Sequence, residues 1–428
     1  MKRKPNFEIR PSTIFARVGF AVLTGWLDCV SSFALGGENS EDYGDFLKQI
    51  HSAAEDKGFS ITGENTVEGW GNLSGGIQTG AAYEGLLKLT QQLDLKKIIG
   101  WGGASIFTSW LYPYGNGLSD IYTGELNLLS NITAYNSFRL FELWFQQKFF
   151  GDSASIRIGQ MSADLEFYQS ENSNVFINSC FGTFPTISFG TSLPIYPVGG
   201  LGTRVDFHPS STTFARAAVF DSNPGQQNTN DKHGTLFHLN PNSGVIVIAE
   251  AGYQVSPSAD NNGKDEAYTI GGYYDSRTFT GNFIQSTHSS NCGFYAIADR
   301  RLYRSTPYIN EQSSTGGLGV FASFSVAPPD RNEVSFYIDG GINYTGLFPG
   351  RDKDLLGLAV SYTKISNDYV VNNIPVHSGH ETVLEATYRF WVNDSLHLQP
   401  DFQYIFDPGA FRHLPNTVVI GMRFDLTF

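Results

Sequence analysis

Apolar and polar side chains alternate with a period of two from Gly58 to the last residue of this 428-residue chain. In the closing segment, one face is apolar and consists of Val418, Ile420, Met422, Phe424, Leu426 and Phe428. The opposite face consists of Thr417, Gly421, Arg423, Asp425 and Thr427. Because successive side chains of a strand point to opposite faces, the pattern predicts strands with one apolar and one polar side.

The same alternation recurs in segments that approach the ~9–11 residues of a tilted membrane strand. It is clear in 333–344, 384–391 and 396–406, which are separated by turn-forming residues. Further candidates lie at 58–72, 77–93, 99–111, 123–134, 138–150, 153–161, 199–208, 212–220, 243–255, 267–276, 290–303, 316–327 and 354–364. Bacterial barrels hold an even number of strands. These seventeen candidates therefore predict an all-β, antiparallel, up-and-down transmembrane β-barrel of about sixteen strands over 58–428, with one candidate forming a loop or an inward segment.

Hydrogen bonding favours a closed barrel over the alternatives. Hydrocarbon offers no partner to a backbone N–H or C=O, so only helices and closed sheets span it. After the N-terminal region, the chain has no run of ~18 apolar residues that would form a membrane helix. A secreted β-rich carbohydrate-binding protein is the rival interpretation, but its strands would turn their polar face outward. Charged residues make up only 16% of the chain, which agrees with a barrel in lipid.

The N-terminus has the features of an export signal. A basic stretch precedes the apolar run Val18–Leu27, which is too short to span a bilayer. Ser32 and Ala34 place small residues at the −3 and −1 positions, so we predict a signal peptide over 1–34. Apolar residues recur at spacings of three and four in 35–57, and this pattern predicts a short periplasmic helical segment there.

Charge and cysteine content restrict the partners and the compartment. The formal net charge is −13, and the first 34 residues carry five basic and two acidic groups, so cleavage leaves about −16. An acidic chain is a poor partner for nucleic acid, since phosphate contacts need clustered Lys and Arg. Cys180 and Cys292 would remain in an oxidising compartment. Their positions leave a disulfide open, and two unpaired thiols are favoured.

No motif predicts an enzyme, a cofactor or a metal site. His377 and His380 form an H-x-x-H pair, but Pro375, Ser378 and Gly379 place it in a turn rather than on a helix. The glycine-rich run at 199–202 lacks the helix that a nucleotide-binding loop requires. No Gly-x-Ser-x-Gly elbow occurs. An outer-membrane hydrolase remains an alternative without a supporting constellation.

Several long segments interrupt the alternation. The stretches 223–228 and 257–265 are rich in Asn, Gly and Pro and predict exposed extracellular loops. The stretch 164–198 carries six aromatic residues between Phe167 and Phe189, which is too apolar for a free loop. We expect it to fold into the lumen and to narrow the pore.

Several short motifs resemble the OprB family of carbohydrate-selective porins. They are Glu142–Gln147, Ile158–Met161, Phe176–Ser179, Pro185, Tyr196-Pro197, Gly200–Arg204, Leu398–Gly409 and Gly421–Phe428. The similarity extends over most of 58–428, and the Gln-Pro-Asp strand at 399–401 is its most specific part. The closing Asp425-Leu426-Thr427-Phe428 differs slightly from the family's Ser-Leu-Thr-Phe, which is expected to alter pore charge rather than the fold.

The resemblance implies a sixteen-stranded porin of the bacterial outer membrane that passes glucose and related small sugars down their gradients. A general or ion-selective porin is the alternative. The partners would be small sugars, outer-membrane lipid and lipopolysaccharide. The terminal aromatic Phe428 also fits the signal that the barrel-assembly machinery reads during biogenesis.

A sugar pore needs aromatic faces for stacking and paired acids, bases and amides that replace water at hydroxyl groups. Strand parity predicts the inward face, and the candidate pore-lining residues are Glu64, Glu68, Trp70, Glu142, Trp144, Arg157, Arg204, Arg389, Asp401, Arg423 and Asp425. Trp144 is favoured because Glu142 and Gln146 flank it on the same face. The alternative is that many of these charges only pair across strands, and that Trp70, Trp101, Trp110 and Trp391 belong to interfacial aromatic girdles.

Overall fold

The computed structural model describes residues 52–223, 231–237, 239, 243–256, 265–281, 286–305, 316–367, 370–371, 374–375, 379–410 and 414–428. The predicted signal peptide 1–34 and most of the predicted helical segment 35–57 lie outside this part of the chain; residues 52–56 are helical. The chain divides into two compact units, Met1–Glu55 and Asp56–Phe428. The second unit carries all the features below.

Sixteen antiparallel strands close into one barrel. They are β1 (Phe59–Ser74), β2 (Gly80–Asp94), β3 (Ala104–Asn116), β4 (Arg139–Phe149), β5 (Ala154–Met161), β6 (Gly200–Ser210), β7 (Thr213–Asp221), β8 (Val245–Val255), β9 (Glu266–Asp275), β10 (Asn291–Arg304), β11 (Gly317–Val326), β12 (Val334–Thr345), β13 (Leu355–Ile365), β14 (His380–Trp391), β15 (Leu396–Phe406) and β16 (Thr417–Thr427). The prediction of a sixteen-stranded barrel is confirmed. Two-stranded ribbons outside the barrel pair Phe279–Thr280 with Thr287–His288, and Val370–Val371 with Ile374–Pro375.

The first and last strands pair and so remove the open edges. Their register runs from Glu64 opposite Thr427 to Ser74 opposite Val418. The Phe428 N–H also donates to the Gly63 carbonyl at 2.9 Å. Both chain termini of the barrel therefore lie at one end, and the connections 150–153, 211–212 and 392–395 at that end are the short turns typical of the periplasmic side.

One of the seventeen candidates is an inward segment, as expected, and one predicted strand is displaced. The segment 123–134 forms no strand: a π-helical turn covers Ser119–Thr123, and the chain then runs inward until β4 begins at Arg139. The predicted strand 99–111 is displaced to 104–116, because Asp94 caps the helix α1 (Leu95–Ile99) by accepting from the Lys96 N–H at 2.9 Å. Gly100 ends this helix with a φ of +77°.

The prediction that 257–265 is an extracellular loop is wrong. Residues 257–264 lie outside the described part of the chain, but the segment joins β8 to β9 at the end of the short turns, not at the predicted extracellular end. The extracellular prediction for 223–228 concerns residues that, apart from Asn223, the structure does not describe.

The outer and inner surfaces of the barrel differ as predicted. Large apolar side chains are exposed on the outside, among them Ile158, Ile270, Leu358, Ile420 and Phe424. Their neighbours along each strand point inward and are mostly polar and buried. Among the described residues, no helix is both long and apolar enough to cross a membrane.

Both cysteines in the described part of the chain are unpaired, as favoured from the sequence. Cys180 is buried and Cys292 is exposed. Burial raises the pKa of the Cys180 thiol well above its ordinary value. The thiol therefore stays protonated, and it donates to the Ser361 hydroxyl at 3.3 Å.

Candidate functional site

Two long connections fold into the barrel. The first inward segment, 117–138, joins β3 to β4, and the second inward segment, 162–199, joins β5 to β6. The second contains a 3₁₀ turn at Ser179–Phe181 and the helix α2 (Pro185–Ser188). Their side chains and backbone contact the inner wall, so they determine how much of the lumen remains open.

A wall carboxylate holds the first inward segment. Glu381 of β14 is fully buried and accepts the Leu126 N–H at 2.7 Å and the Asn127 N–H at 2.8 Å. It also accepts from the Asn127 side chain at 2.9 Å and from the Gly409 N–H at 2.7 Å. Three of these four hydrogen bonds come from the Leu126–Asn127 stretch, so this one side chain fixes the segment against the wall.

Three further wall carboxylates hold the second inward segment through its backbone. Glu385 of β14 accepts the Ile177 and Asn178 N–H groups at 2.6 and 2.9 Å. Glu250 of β8 accepts the Tyr168 N–H at 2.9 Å, and Asp299 of β10 accepts the Asn172 N–H at 2.9 Å. Four acidic side chains of the inner wall, counting Glu381, therefore orient irregular backbone that would otherwise be buried without partners.

Aromatic packing fills one side of the lumen. Phe184 and Tyr168 of the second inward segment lie 5.7 and 5.8 Å, between ring centroids, from Tyr295 of β10. Phe176 lies 5.7 Å from Phe321 of β11. This confirms the expectation that the aromatic stretch folds inside the barrel, and it closes the lumen along β8–β13.

Open space remains on the opposite side. A cavity of about 1160 Å³ lies between β1–β3 and the two inward segments. Amide and hydroxyl side chains, including Asn131, Thr133, Asn136, Gln169 and Asn174, line it together with aliphatic side chains such as Leu86 and Ile132. Four aromatic side chains, Tyr135, Phe141, Phe189 and Tyr196, also border it. Glu64 and Lys88 line it as an ion pair 3.3 Å apart.

Three of the predicted residues form one cluster on β1 and β16. The Trp70 indole donates to the Glu68 carboxylate at 2.7 Å, and Glu68 forms an ion pair with Arg423. Arg423 also donates to the Asn131 side chain of the first inward segment at 2.7 Å. All three predicted residues are buried, so Trp70 belongs to the lumen and not to an interfacial girdle.

Trp144 and Arg157 form a second cluster with residues outside the predicted set. The Arg157 guanidinium lies 3.6 Å above the Trp144 ring, and Phe107 stacks on that ring at 4.8 Å. Glu166 of the second inward segment pairs with Arg157. Gln146 accepts from Arg157 at 2.9 Å, so the flanking residue that favoured Trp144 takes part in the cluster.

A row of arginines continues this cluster across β6 and β7. Arg204 lies 2.5 Å from the Glu166 carboxylate. Arg216 lies 3.4 Å from Asp206 and 3.6 Å from Glu250. Register places Arg157 directly opposite Arg204, and Asp206 opposite Arg216. Three guanidinium groups therefore face three carboxylates.

The remaining predicted residues lie in separate environments. Glu142 accepts the Ser162 N–H at 3.2 Å, and Arg389 donates to the Gln399 side chain at 3.2 Å. Asp401 accepts from Gln403 at 3.1 Å. Asp425 pairs with His397 at 2.8 Å and accepts from the Thr66 hydroxyl.

All eleven predicted residues point into the barrel, but their access to the lumen differs. Seven are buried: Glu68, Trp70, Glu142, Trp144, Arg204, Asp401 and Arg423. The other four, Glu64, Arg157, Arg389 and Asp425, are partly exposed, and Glu64 is the member of the set that borders the large cavity. The predicted set did not include Glu381, Glu385 or Asn131. Strand parity does place the two acids on the inner face, but the backbone groups that they bind lie more than 200 residues away in the sequence.

The described residues contain no group of three or more His, Cys, Asp or Glu side chains that would hold a metal ion. His377 lies outside the described residues, and His380 begins β14. The prediction of no metal and no cofactor stays a prediction.

The fold and the interior together define a class. A closed sixteen-stranded barrel with an apolar exterior, a polar lumen and inward-folded connections is a porin of the bacterial outer membrane.

Comparison with known proteins agrees with this class and narrows it. The model of the family described as "Carbohydrate-selective porin, OprB family" matches residues 78–428. The chain therefore belongs to the OprB family of carbohydrate-selective porins. Channel function, rather than enzyme function, follows from the family and the fold.

Two relatives show the extent of the similarity. Porin B of Pseudomonas aeruginosa is 23% identical over 415 residues, which cover 87% of this chain and 88% of that protein. The putative porin QuiX of Acinetobacter baylyi is 22% identical over 420 residues, which cover 90% and 92%. The high-pH structure of Pseudomonas putida OprB matches the fold with a TM-score of 0.80 at 23% identity, over 89% of this chain and 97% of that chain.

Proposed function

We propose that this porin passes glucose and related small neutral carbohydrates by passive diffusion, along the side of the lumen that β1–β3 border. The observation that carries the proposal is the cavity of about 1160 Å³, in which amides, hydroxyls and four aromatic rings lie among aliphatic side chains. This exceeds the ~300–1000 Å³ of a typical small-ligand site, so a monosaccharide enters with part of its water. Amide and hydroxyl groups replace that water at the sugar hydroxyls, while the aromatic rings stack on its apolar face.

Charge balance favours a neutral solute over an ion-selective pore. The arginine row of β5–β7 faces an equal number of carboxylates, and Lys88 pairs with Glu64 in the cavity. Ion-selective pores depend on rings of one charge sign. Paired charges instead offer donors and acceptors side by side, which suits hydroxyl groups. We propose that Glu64 and Arg157 contact the solute, and that the buried members of the predicted set, Arg204 among them, support these two residues.

Liposome swelling with the purified full chain tests the proposal. Proteoliposomes are placed in isosmotic glucose, a disaccharide or an amino acid of glucose-like size. We expect glucose to enter several-fold faster than the amino acid, because a charged zwitterion must give up more hydration in the paired-charge lumen. Empty liposomes are the control. Entry rates that depend only on solute size would overturn the carbohydrate preference.

We further propose three features of biogenesis and environment. Residues 1–34 are removed as a signal peptide, lipopolysaccharide contacts the apolar exterior, and the barrel-assembly machinery binds the C-terminal strand. The exposed Phe428 ring beside β1 supports the last of these. N-terminal sequencing of the outer-membrane form should begin at Leu35; an intact Met1 in that fraction would contradict cleavage.

A further inference from the structure

A row of side chains crosses four neighbouring strands near the periplasmic end of the lumen. Register places Trp391 of β14 opposite His397 of β15, His397 opposite Asp425 of β16, and Asp425 opposite Thr66 of β1. We call these four residues the exit row. Trp391 is the last residue of β14 and precedes the four-residue turn 392–395, which fixes the position of the row along the barrel.

The members of the exit row contact one another in sequence. The Trp391 and His397 ring centroids lie 4.8 Å apart with an angle of 47° between the planes. The His397 Nε2 lies 2.8 Å from the Asp425 carboxylate, and the Thr66 hydroxyl donates to the same carboxylate. The row is thus one connected surface rather than four separate side chains.

The exit row stays open to the lumen. The side chains of His397 and Asp425 retain 16% and 19% exposure, and Trp391 is also partly exposed. This distinguishes the row from the Glu68–Trp70–Arg423 cluster, whose members are buried. Thr66 lines the large cavity together with Glu64 and Lys88, so the row extends the cavity wall toward the periplasm.

The chemistry of the exit row fits a sugar ring. An aromatic face offers a surface for the C–H side of a pyranose, and the adjacent imidazole, carboxylate and hydroxyl offer donors and acceptors at its edge. The nearby Glu64–Lys88 pair, 3.3 Å apart, adds one further acceptor and donor.

We propose that the exit row is a second carbohydrate subsite, which holds a monosaccharide before its release to the periplasm. The proposal rests on the carbohydrate transport proposed above. A weak second site at the exit lowers the barrier to leaving the cavity, because conduction requires binding that favours entry and still permits release. Trp391 and Thr66 would be specificity-determining residues of this subsite.

Sugar block of ion current tests the subsite. The full-length porin is inserted in planar bilayers, and glucose is titrated on either side while the ion current is recorded. We expect Trp391→Leu to raise the half-blocking glucose concentration roughly tenfold, which corresponds to the loss of one aromatic contact. Thr66→Val should raise it by about threefold, since one hydroxyl is lost at constant shape.

Trp110→Leu is the matched control, because Trp110 lies on the outer face and stacks on Phe138 at 5.2 Å. The half-blocking glucose concentration of this variant should equal that of the unmodified porin. Unchanged block in both Trp391→Leu and Thr66→Val would overturn the exit subsite while the transport proposal stands. If glucose neither blocks nor enters through the unmodified porin, both proposals are overturned. Thr66→Val alone decides the matter if Trp391→Leu does not assemble.

Discussion

Removing the Glu381 and Glu385 carboxylates together is expected to widen the pore, raising single-channel conductance by roughly twofold toward that of an unobstructed sixteen-stranded barrel. Glu381 and Glu385 lie on the same face of β14 and accept backbone N–H groups from Leu126, Asn127, Ile177 and Asn178. A hydrogen bond of this kind contributes about 0.5–1.5 kcal/mol, and four of them act on two short stretches of backbone. The double variant Glu381→Ala/Glu385→Ala should therefore release both inward segments at their attachment to β14.

The measurement is single-channel conductance in planar bilayers together with the size limit for sugars in liposome swelling. We expect the double variant to admit oligosaccharides that the unmodified porin excludes and to show larger current fluctuations. Asp339→Ala is the matched control. Asp339 is also a buried wall carboxylate, but it accepts from the wall groups Ser323 and Tyr337, at 3.0 and 2.9 Å. Equal conductance in all three proteins would show that these acids do not hold the constriction.

The second large effect is expected for Arg423→Met. Glu68 is fully buried, and its charge is paired with Arg423. Removing one partner of a buried ion pair leaves an uncompensated charge and typically costs about 3–5 kcal/mol. The variant also loses the 2.7 Å contact between Arg423 and Asn131, so the first inward segment should loosen.

Urea unfolding of the porin in lipid vesicles, followed by the mobility of unheated samples in gel electrophoresis, measures this loss. The double variant Glu68→Gln/Arg423→Met is the informative control, because it removes both charges. It should recover a large part of the lost stability, since glutamine remains able to accept from the Trp70 indole, which now donates to Glu68 at 2.7 Å. If the single and double variants unfold at the same urea concentration, the charge on Glu68 is not the cause.

Most of the charged side chains on the inner wall hold the inward segments and do not face open space. Strand parity placed Asp401, Arg389 and Arg423 on the inside, and the structure agrees for each of them. Most of these charges are nevertheless covered, because the inward segments lie between the wall and the remaining space. Their local effect is to orient loops and partner side chains, and the loops then present amides and aromatic rings to the cavity.

The segment 123–134, the one candidate that is not a strand, shows the limit of a periodic pattern. Its apolar residues, such as Leu126, Leu128 and Ile132, recur with a spacing that also suits a strand. A strand needs a neighbour on each side, and β3 instead pairs directly with β4. The segment obtains its hydrogen bonds from Glu381 and from the Ile177 carbonyl, to which the Asn131 N–H donates at 2.9 Å. These partners are far away in the sequence, so no local pattern predicts them.

The amino-acid sequence by itself determined the barrel, its strand number and the direction of nearly every strand side chain. The reason is that a strand in lipid must show an apolar side chain at every second position, so the residues of each strand carry the pattern by themselves. Only the tertiary structure decided which inward residues border the open cavity. That choice depends on the positions of 117–138 and 162–199, and the groups that fix these segments lie on strands up to 293 residues distant.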